Sequence, residues 1–317
     1  MNWKAKWLAP LAAALLLTAC GTKEETPNNT QQSTGNSEQA AQEGPYTVTD
    51  DRGIEVSFDH IPETIVSLQP SNTEILFSLG AGDKIIGATD YDNYPEEALN
   101  IERVSDSITI NGERIIELNP DVVIAYTAGD SVQVEQLEAA GLKVFVIQSA
   151  ASFDDVYGDI IQLSQVMGVE EKGEKIVEEI KQQIANVQEK TAALDEKKKV
   201  YFEIAPAPDT WSAGKGTFQQ EVLTAAGVEN VFAEQESWFK VAEEDVIKIN
   251  PTVILTTVNY VEDPVSEIAN RPGWSNIQAI VNKEIYFVDS DILSRPATRI
   301  GQAVELVAET VYPELFK

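Results

Sequence analysis

Ser212-Ala-Gly-Lys215 has the Ser-x-x-Lys spacing in which a lysine amine can take the proton of a serine nucleophile during acyl transfer. Neither Lys-Thr-Gly nor Ser-Asp-Asn accompanies it, and Gly-x-Ser-x-Gly is absent, so the pattern stands alone as a weak signal for a serine hydrolase. Gly214-Lys-Gly-Thr217 invites a phosphate-loop reading. However, Asp209 stands where the first glycine belongs, and Gly216 follows the lysine where a Ser or Thr would hold magnesium. The stretch reads as a turn into a helix beginning near Thr217. His60 is the one histidine and Cys20 the one cysteine, which leaves too few nitrogen and sulfur ligands for a zinc or manganese site. Asp90-Tyr-Asp-Asn93 is too sparse for a calcium loop. The expectation is binding without catalysis: no enzyme, no metal site and no resident cofactor.

Aromatic residues just beyond apolar runs are the more telling pattern. Tyr91 and Tyr94 follow Ile85–Ala88, Tyr126 follows Val122–Ala125, and Trp211 lies beyond Val200–Ile204. Trp238 and Phe239 follow Val231-Phe232, and Tyr260 follows Val253–Thr256. Flat amphipathic rings at corresponding sheet edges suit a large planar or semi-apolar ligand.

The elements that must hold those rings are written twice. Glu113-Arg-Ile-Ile-Glu-Leu-Asn-Pro-Asp-Val-Val-Ile124 returns as Glu244-Asp-Val-Ile-Lys-Ile-Asn-Pro-Thr-Val-Ile-Leu255, with Glu, Ile, Asn, Pro and Val kept. Each copy reads as a short helix stopped at Asn-Pro and followed by a strand of a parallel sheet covered on both faces. A looser echo relates Glu74-Ile-Leu-Phe-Ser-Leu-Gly80 to Glu221-Val-Leu-Thr-Ala-Ala-Gly227, each a helix closed by glycine. The two echoes differ in offset, so the first lobe carries an insertion between Ala88 and Gly112, a stretch that includes Tyr91, Tyr94 and Pro95. Ser71-Asn-Thr-Glu74 reads as a capping box at a strand-to-helix junction. Further strands are expected at Ile65–Leu68, Val144–Ile147 and Ile285–Val288, and a helix from Asp154 to about Met167. From Glu171 to Leu194 an apolar stripe of Ile176, Ile180, Ile184 and Val187 predicts one long helix, a stiff strut of roughly 36 Å. The expected fold class is α/β: two similar lobes with mostly parallel sheets, joined by that single helix, with a ligand cleft between them. The boundaries are 46–168 for the first lobe, 169–196 for the linker helix and 197–317 for the second lobe.

Residues 1–19 are expected to be a cleaved address. Lys4 and Lys6 precede an apolar stretch from Trp7 to Ala19 that is too short to span a bilayer, and Leu17-Thr-Ala-Cys20 fits a lipoprotein cleavage site. Cys20 would carry the lipid, and residues 20–45, poor in aliphatic residues, would be a disordered tether. The protein would then work at the outer face of the cytoplasmic membrane, held through its anchor. A net charge of −29 excludes nucleic acid as a direct partner.

From Val66-Ser-Leu-Gln-Pro-Ser-Asn-Thr-Glu74 to Arg299-Ile300 the chain resembles the solute-binding lipoproteins of ABC importers for vitamin B12 and ferric siderophores. Within that family the cobalamin binders are the more similar, on Gly87-Ala-Thr-Asp-Tyr-Asp-Asn-Tyr-Pro95, Trp211-Ser-Ala-Gly-Lys215 and Trp238-Phe-Lys-Val241. The resemblance implies a monomer that captures cobalamin, or alternatively a ferric siderophore, and delivers it to a permease with its ATPase subunits. It implies ring contacts from Tyr91, Tyr126, Trp211 and Trp238, polar contacts from Asp291 and Arg295, and permease docking through Glu113 and Glu244. Ser107 stands where the family pattern has a tryptophan, which implies weaker stacking there or a different ligand. By its charge a siderophore complex would want several basic side chains, and only Lys215, Lys240, Arg295 and Arg299 are near the expected edge.

Overall fold

In the computed structural model the described residues are 44–106, 109–127 and 132–317. The leader, Cys20, most of the tether and Ser107 lie outside them. A hairpin of β1 (Tyr46–Thr49) and β2 (Glu55–Phe58) opens the body. There follow β3 (Ile65–Ser67), α1 (Pro70–Ser78), β4 (Ile85–Thr89), β5 (Arg103–Ser105), α2 (Gly112–Leu118), β6 (Val122–Thr127), α3 (Val132–Ala139), β7 (Val144–Gln148) and α4 (Phe153–Val166). The long helix α5 spans Glu170–Thr191. Beyond it come β8 (Lys199–Glu203), β9 (Trp211–Ala213), α6 (Phe218–Ala225), β10 (Glu229–Asn230), β11 (Trp238–Lys240), α7 (Glu243–Ile249) and β12 (Val253–Thr256). The chain finishes with α8 (Pro264–Ala269), α9 (Gln278–Val281), β13 (Ile285–Phe287), α10 (Ser290–Ser294) and α11 (Ile300–Val311).

Two parallel sheets result, in the orders β5-β4-β3-β6-β7 and β10-β8-β12-β13. The twelve-residue repeat occupies the same place in both. Val122 pairs with Ile65 of the first strand in its sheet, and Val253 pairs with Val200 in the other. Asn119 and Asn250 close their helices at φ 47° and 56°, left-handed positions that asparagine tolerates better than most residues, and this accounts for the kept Asn. The first-lobe insertion forms a 3-10 turn over Glu96–Asn100 and the extra edge strand β5.

Two expectations are corrected. Ser71 does not cap α1: the helix starts at Pro70 with Gln69 as its cap and no side-chain cap bond, because proline fits the first helical position and Glu74 is engaged elsewhere. The strand expected at Val231-Phe232 lies at Glu229–Asn230. Asn230 donates to the Ala213 carbonyl at 2.8 Å and accepts from the Phe232 amide at 3.0 Å, so the chain leaves the sheet and Phe232 turns into the core against Tyr201 and Phe239.

The helix α5 buries Gly173, Val177, Ile180, Ile184 and Val187; Ile176 is half-buried, and Val177 takes its place in the stripe. A Cβ on Gly173 would come within 2.4 Å of Ser164 Oγ, so glycine is what lets α4 and α5 approach this closely. One apolar core runs from Ile75 and Phe145 in the first lobe, through Ile180 and Ile184, to Phe202 and Val304 in the second. The lobes are therefore coupled by buried surface as well as by chain. Among the described residues no helix is long and apolar enough to cross a membrane.

Candidate ligand-binding site

Strands of a parallel sheet end on a common edge, and each crossover helix begins there. In the first lobe that edge carries Tyr91, 60% exposed, just past β4. Its turn is pinned from below. The buried Asp92 accepts from the Thr89 amide at 2.8 Å and from the Thr89 hydroxyl, while Arg103 donates to the Thr89 and Asp92 carbonyls at 2.9 and 2.8 Å. Tyr126 ends β6 on the same edge, half-buried.

In the second lobe β9 and β11 form an antiparallel pair with Trp238 opposite Ala213 and Lys240 opposite Trp211. Directly opposed residues share a face, so both tryptophans project from one side, about 7–8 Å apart as diagonal neighbours. That side is open: Trp211 is 39% and Trp238 43% exposed. The other side carries the buried Ser212 and Phe239, which packs on Phe232. Trp238 Nε1 donates to Gln219 Oε1 at 3.2 Å, fixing one ring by its polar end. Gly214 is needed for packing rather than phosphate, since a Cβ there would lie 2.1 Å from the Gln235 carbonyl oxygen. Thr217 caps α6 by accepting from the Gln220 amide, the turn-to-helix role expected of it. The Ser-x-x-Lys pair is not a nucleophile and base. Ser212 is fully buried, while Lys215 is exposed and pairs with Glu236 at 3.4 Å.

Arg295 and Asp291 join the lobes. The Arg295 guanidinium donates to the Tyr91 carbonyl at 3.0 Å, to Asn93 Oδ1 at 2.7 Å and to Glu74 Oε1 at 3.1 Å, and it pairs with Asp291 at 3.1 Å. Asn93 Nδ2 in turn donates to Asp291 at 2.8 Å. Behind them, Arg299 grips Glu74 with two bonds of 2.8 and 2.6 Å and stacks over the Tyr94 ring at 3.9 Å. Burial disfavours the Arg299 charge, and the Glu74 carboxylate outweighs it, so the guanidinium is held above its ordinary value. This Glu74–Arg299–Tyr94 unit escaped the sequence reading. Its members were each noted apart, Glu74 as part of a cap, Tyr94 as an edge ring and Arg299 as an edge cation, and nothing in the sequence joined them.

The structure thus brings Tyr91, Asp291 and Arg295 into one cluster and Trp211 and Trp238 onto one face, with Tyr126 on the Tyr91 edge. Glu113 and Glu244 are exposed in the first turns of α2 and α7. A cavity of about 900 Å³ lies elsewhere, beside α4 and α5. Its lining includes Asp51, Asp155, Asp159 and Lys181 with Tyr157 as its one ring, a poor match to a broad apolar ligand. No group of three or more His, Cys, Asp or Glu among the described residues could hold a metal ion.

Two parallel-sheet lobes bridged by one helix, with exposed rings on each, suit a protein that binds a solute. The family model described as periplasmic binding protein matches residues 65–292, and the chain belongs to that family. It is 36% identical over 98% of both chains to the uncharacterised ABC transporter substrate-binding lipoprotein YvrC of Bacillus subtilis (strain 168). It is 33% identical to the vitamin B12-binding protein of Vibrio campbellii, covering 80% of this chain and 92% of that one. A solved structure of a possible iron-binding, periplasmic solute-binding protein from Staphylococcus epidermidis superposes with a TM-score of 0.72 at 30% identity, over 80% of this chain and 99% of the other. The chain is accordingly a binding protein and not an enzyme.

Proposed function

We propose that the protein captures a corrinoid, cobalamin or a close relative, between its lobes and hands it to the permease of an ABC importer powered by ATPase subunits. The observation that carries this reading is the open tryptophan face of β9 and β11 with no unpaired cation among the four basic residues of the edge. Lys215 is paired with Glu236, Lys240 with Asp209, and Arg295 and Arg299 with Glu74. A corrin ring, broad and apolar with neutral amides at its rim, suits such rings; a strongly anionic complex would want free cations. The vitamin B12-binding relatives favour the same ligand. In this reading Tyr91, Tyr126, Trp211 and Trp238 supply area, Asp291 and Arg295 supply polar contacts by exchanging partners, and Glu113 and Glu244 face the permease. The monomer is tethered by a lipid on Cys20 at the outer face of the cytoplasmic membrane, a role favoured by Leu17-Thr-Ala-Cys20 and by the lipoprotein relative. A ferric siderophore is the second reading, favoured by the Staphylococcus epidermidis structure.

Cyanocobalamin at micromolar concentration should raise the melting temperature and titrate to one site per chain. Trp238→Ala should weaken that binding by about tenfold or more, the loss expected of one buried aromatic anchor. A shift with a ferric siderophore and none with any corrinoid would replace the first reading by the second.

A further inference from the structure

Five residues are identical in the two copies of the twelve-residue repeat, and the structure accounts for three of them locally. Asn119 and Asn250 take the left-handed turn that closes each helix, Pro120 and Pro251 are buried, and Val122 and Val253 are fully buried in central strands. Of the remaining two, the glutamate gains only the small preference of a helix's first turn for an acid, and the isoleucine is neither buried nor at a turn. Glu113 and Glu244 are exposed, and so are Ile116, at 44%, and Ile247, at 40%. Each isoleucine stands three residues after its glutamate on a helix whose inward residue is Ile115 or Val246, so acid and isoleucine share one outward face. Among the described residues, neither glutamate belongs to an ion pair. In the neighbouring positions the copies diverge: Arg114 and Glu117 are answered by Asp245 and Lys248.

We infer that Ile116 and Ile247 are the apolar halves of a paired docking surface, each seated beside its glutamate against one half of a permease that is itself two-fold. This rests on the importer reading and adds to it. The partner must offer, twice, a basic side chain next to an apolar recess, because a duplicated patch of one acid and one isoleucine is matched by a duplicated complement. The acid steers and orients an encounter in a chain of net charge −29, and the isoleucine supplies the desolvated contact that slows dissociation.

The test uses the lipidated protein and its cognate permease–ATPase complex in nanodiscs, with cyanocobalamin as the ligand probe. The double variant Ile116→Ser with Ile247→Ser should bind the complex at least about a hundredfold more weakly, roughly tenfold for each isoleucine. Its cyanocobalamin titration and melting temperature should match wild type, and the loss should appear mainly as faster dissociation. Either single variant should show about half the effect on a logarithmic scale. Unchanged complex affinity in the double variant, with wild type binding normally, overturns the inference and leaves the importer reading intact. Failure of wild type to bind any permease complex overturns both.

Discussion

Glu74 and Glu221 occupy the same place in the looser echo, and both reach across to the other lobe. Glu74 leaves α1 of the first lobe to meet Arg299, which caps α11 of the second. Glu221 leaves α6 of the second lobe and accepts from the Phe153 amide, the first residue of α4 in the first. The crossings mirror each other, yet the chemistry differs. One carboxylate is buried in a fork with an arginine; the other is half-buried against a backbone amide at a helix start, where the helix dipole favours negative charge. Duplication kept the acid and the geometry, and only one copy acquired a full countercharge. The lobes are pinned twice, and the stronger pin lies beside Tyr91 and Arg295.

The largest effect should come from Glu74→Ala, which strands Arg299 in the interior and costs about 3–5 kcal/mol of unfolding free energy in urea titration. It should also loosen the lobes, seen as faster amide exchange in α1 and α11. A loss under about 1 kcal/mol would mean the pair is balanced by its own desolvation and the crossings are equivalent after all.

A third carboxylate sharpens the contrast, because it is buried with no arginine. Burial, with Asp51 and Asp155 adding repulsion, pushes the Asp159 carboxyl up from 3.8 to about 8. The folded chain then holds a proton that the unfolded chain has released, so this stabilisation is full below about pH 4 and is lost as pH rises through about 8. Asp159→Asn should therefore melt near wild type at pH 4 and roughly 5 °C higher at pH 9. A gap that does not grow with pH would remove Asp159 from the account.

Glu221→Ala should have the smallest effect, about 1–2 kcal/mol, since water and the free helix end can replace much of what is lost. A cost equal to that of Glu74→Ala would break the asymmetry.

Much of the fold was legible in the chain. Aliphatic runs marked seven of the strands, Asn-Pro marked the ends of α2 and α7, and the stripe from Ile180 to Val187 marked α5. These are local signals, set by side-chain periodicity and by backbone preference at single residues. Where the reading failed, the deciding partner was distant in sequence. Asn230 ended a strand early by reaching Ala213, and Glu74 left its cap for an arginine 225 residues away.

The sequence by itself determined that there would be two α/β lobes and that Tyr91 and Tyr126 would stand at strand ends, since repeats, turn residues and apolar periods are carried by neighbouring residues. Only the tertiary structure decided how those residues are spent. It placed both tryptophans on one open face of β9 and β11, tied Lys215, Lys240, Arg295 and Arg299 to carboxylates, and made Glu74 and Glu221 into crossings between lobes. Such assignments depend on which side chains meet after folding, because a charge or a ring takes its role from the partner and the burial it finds, and neither is written in its neighbours along the chain.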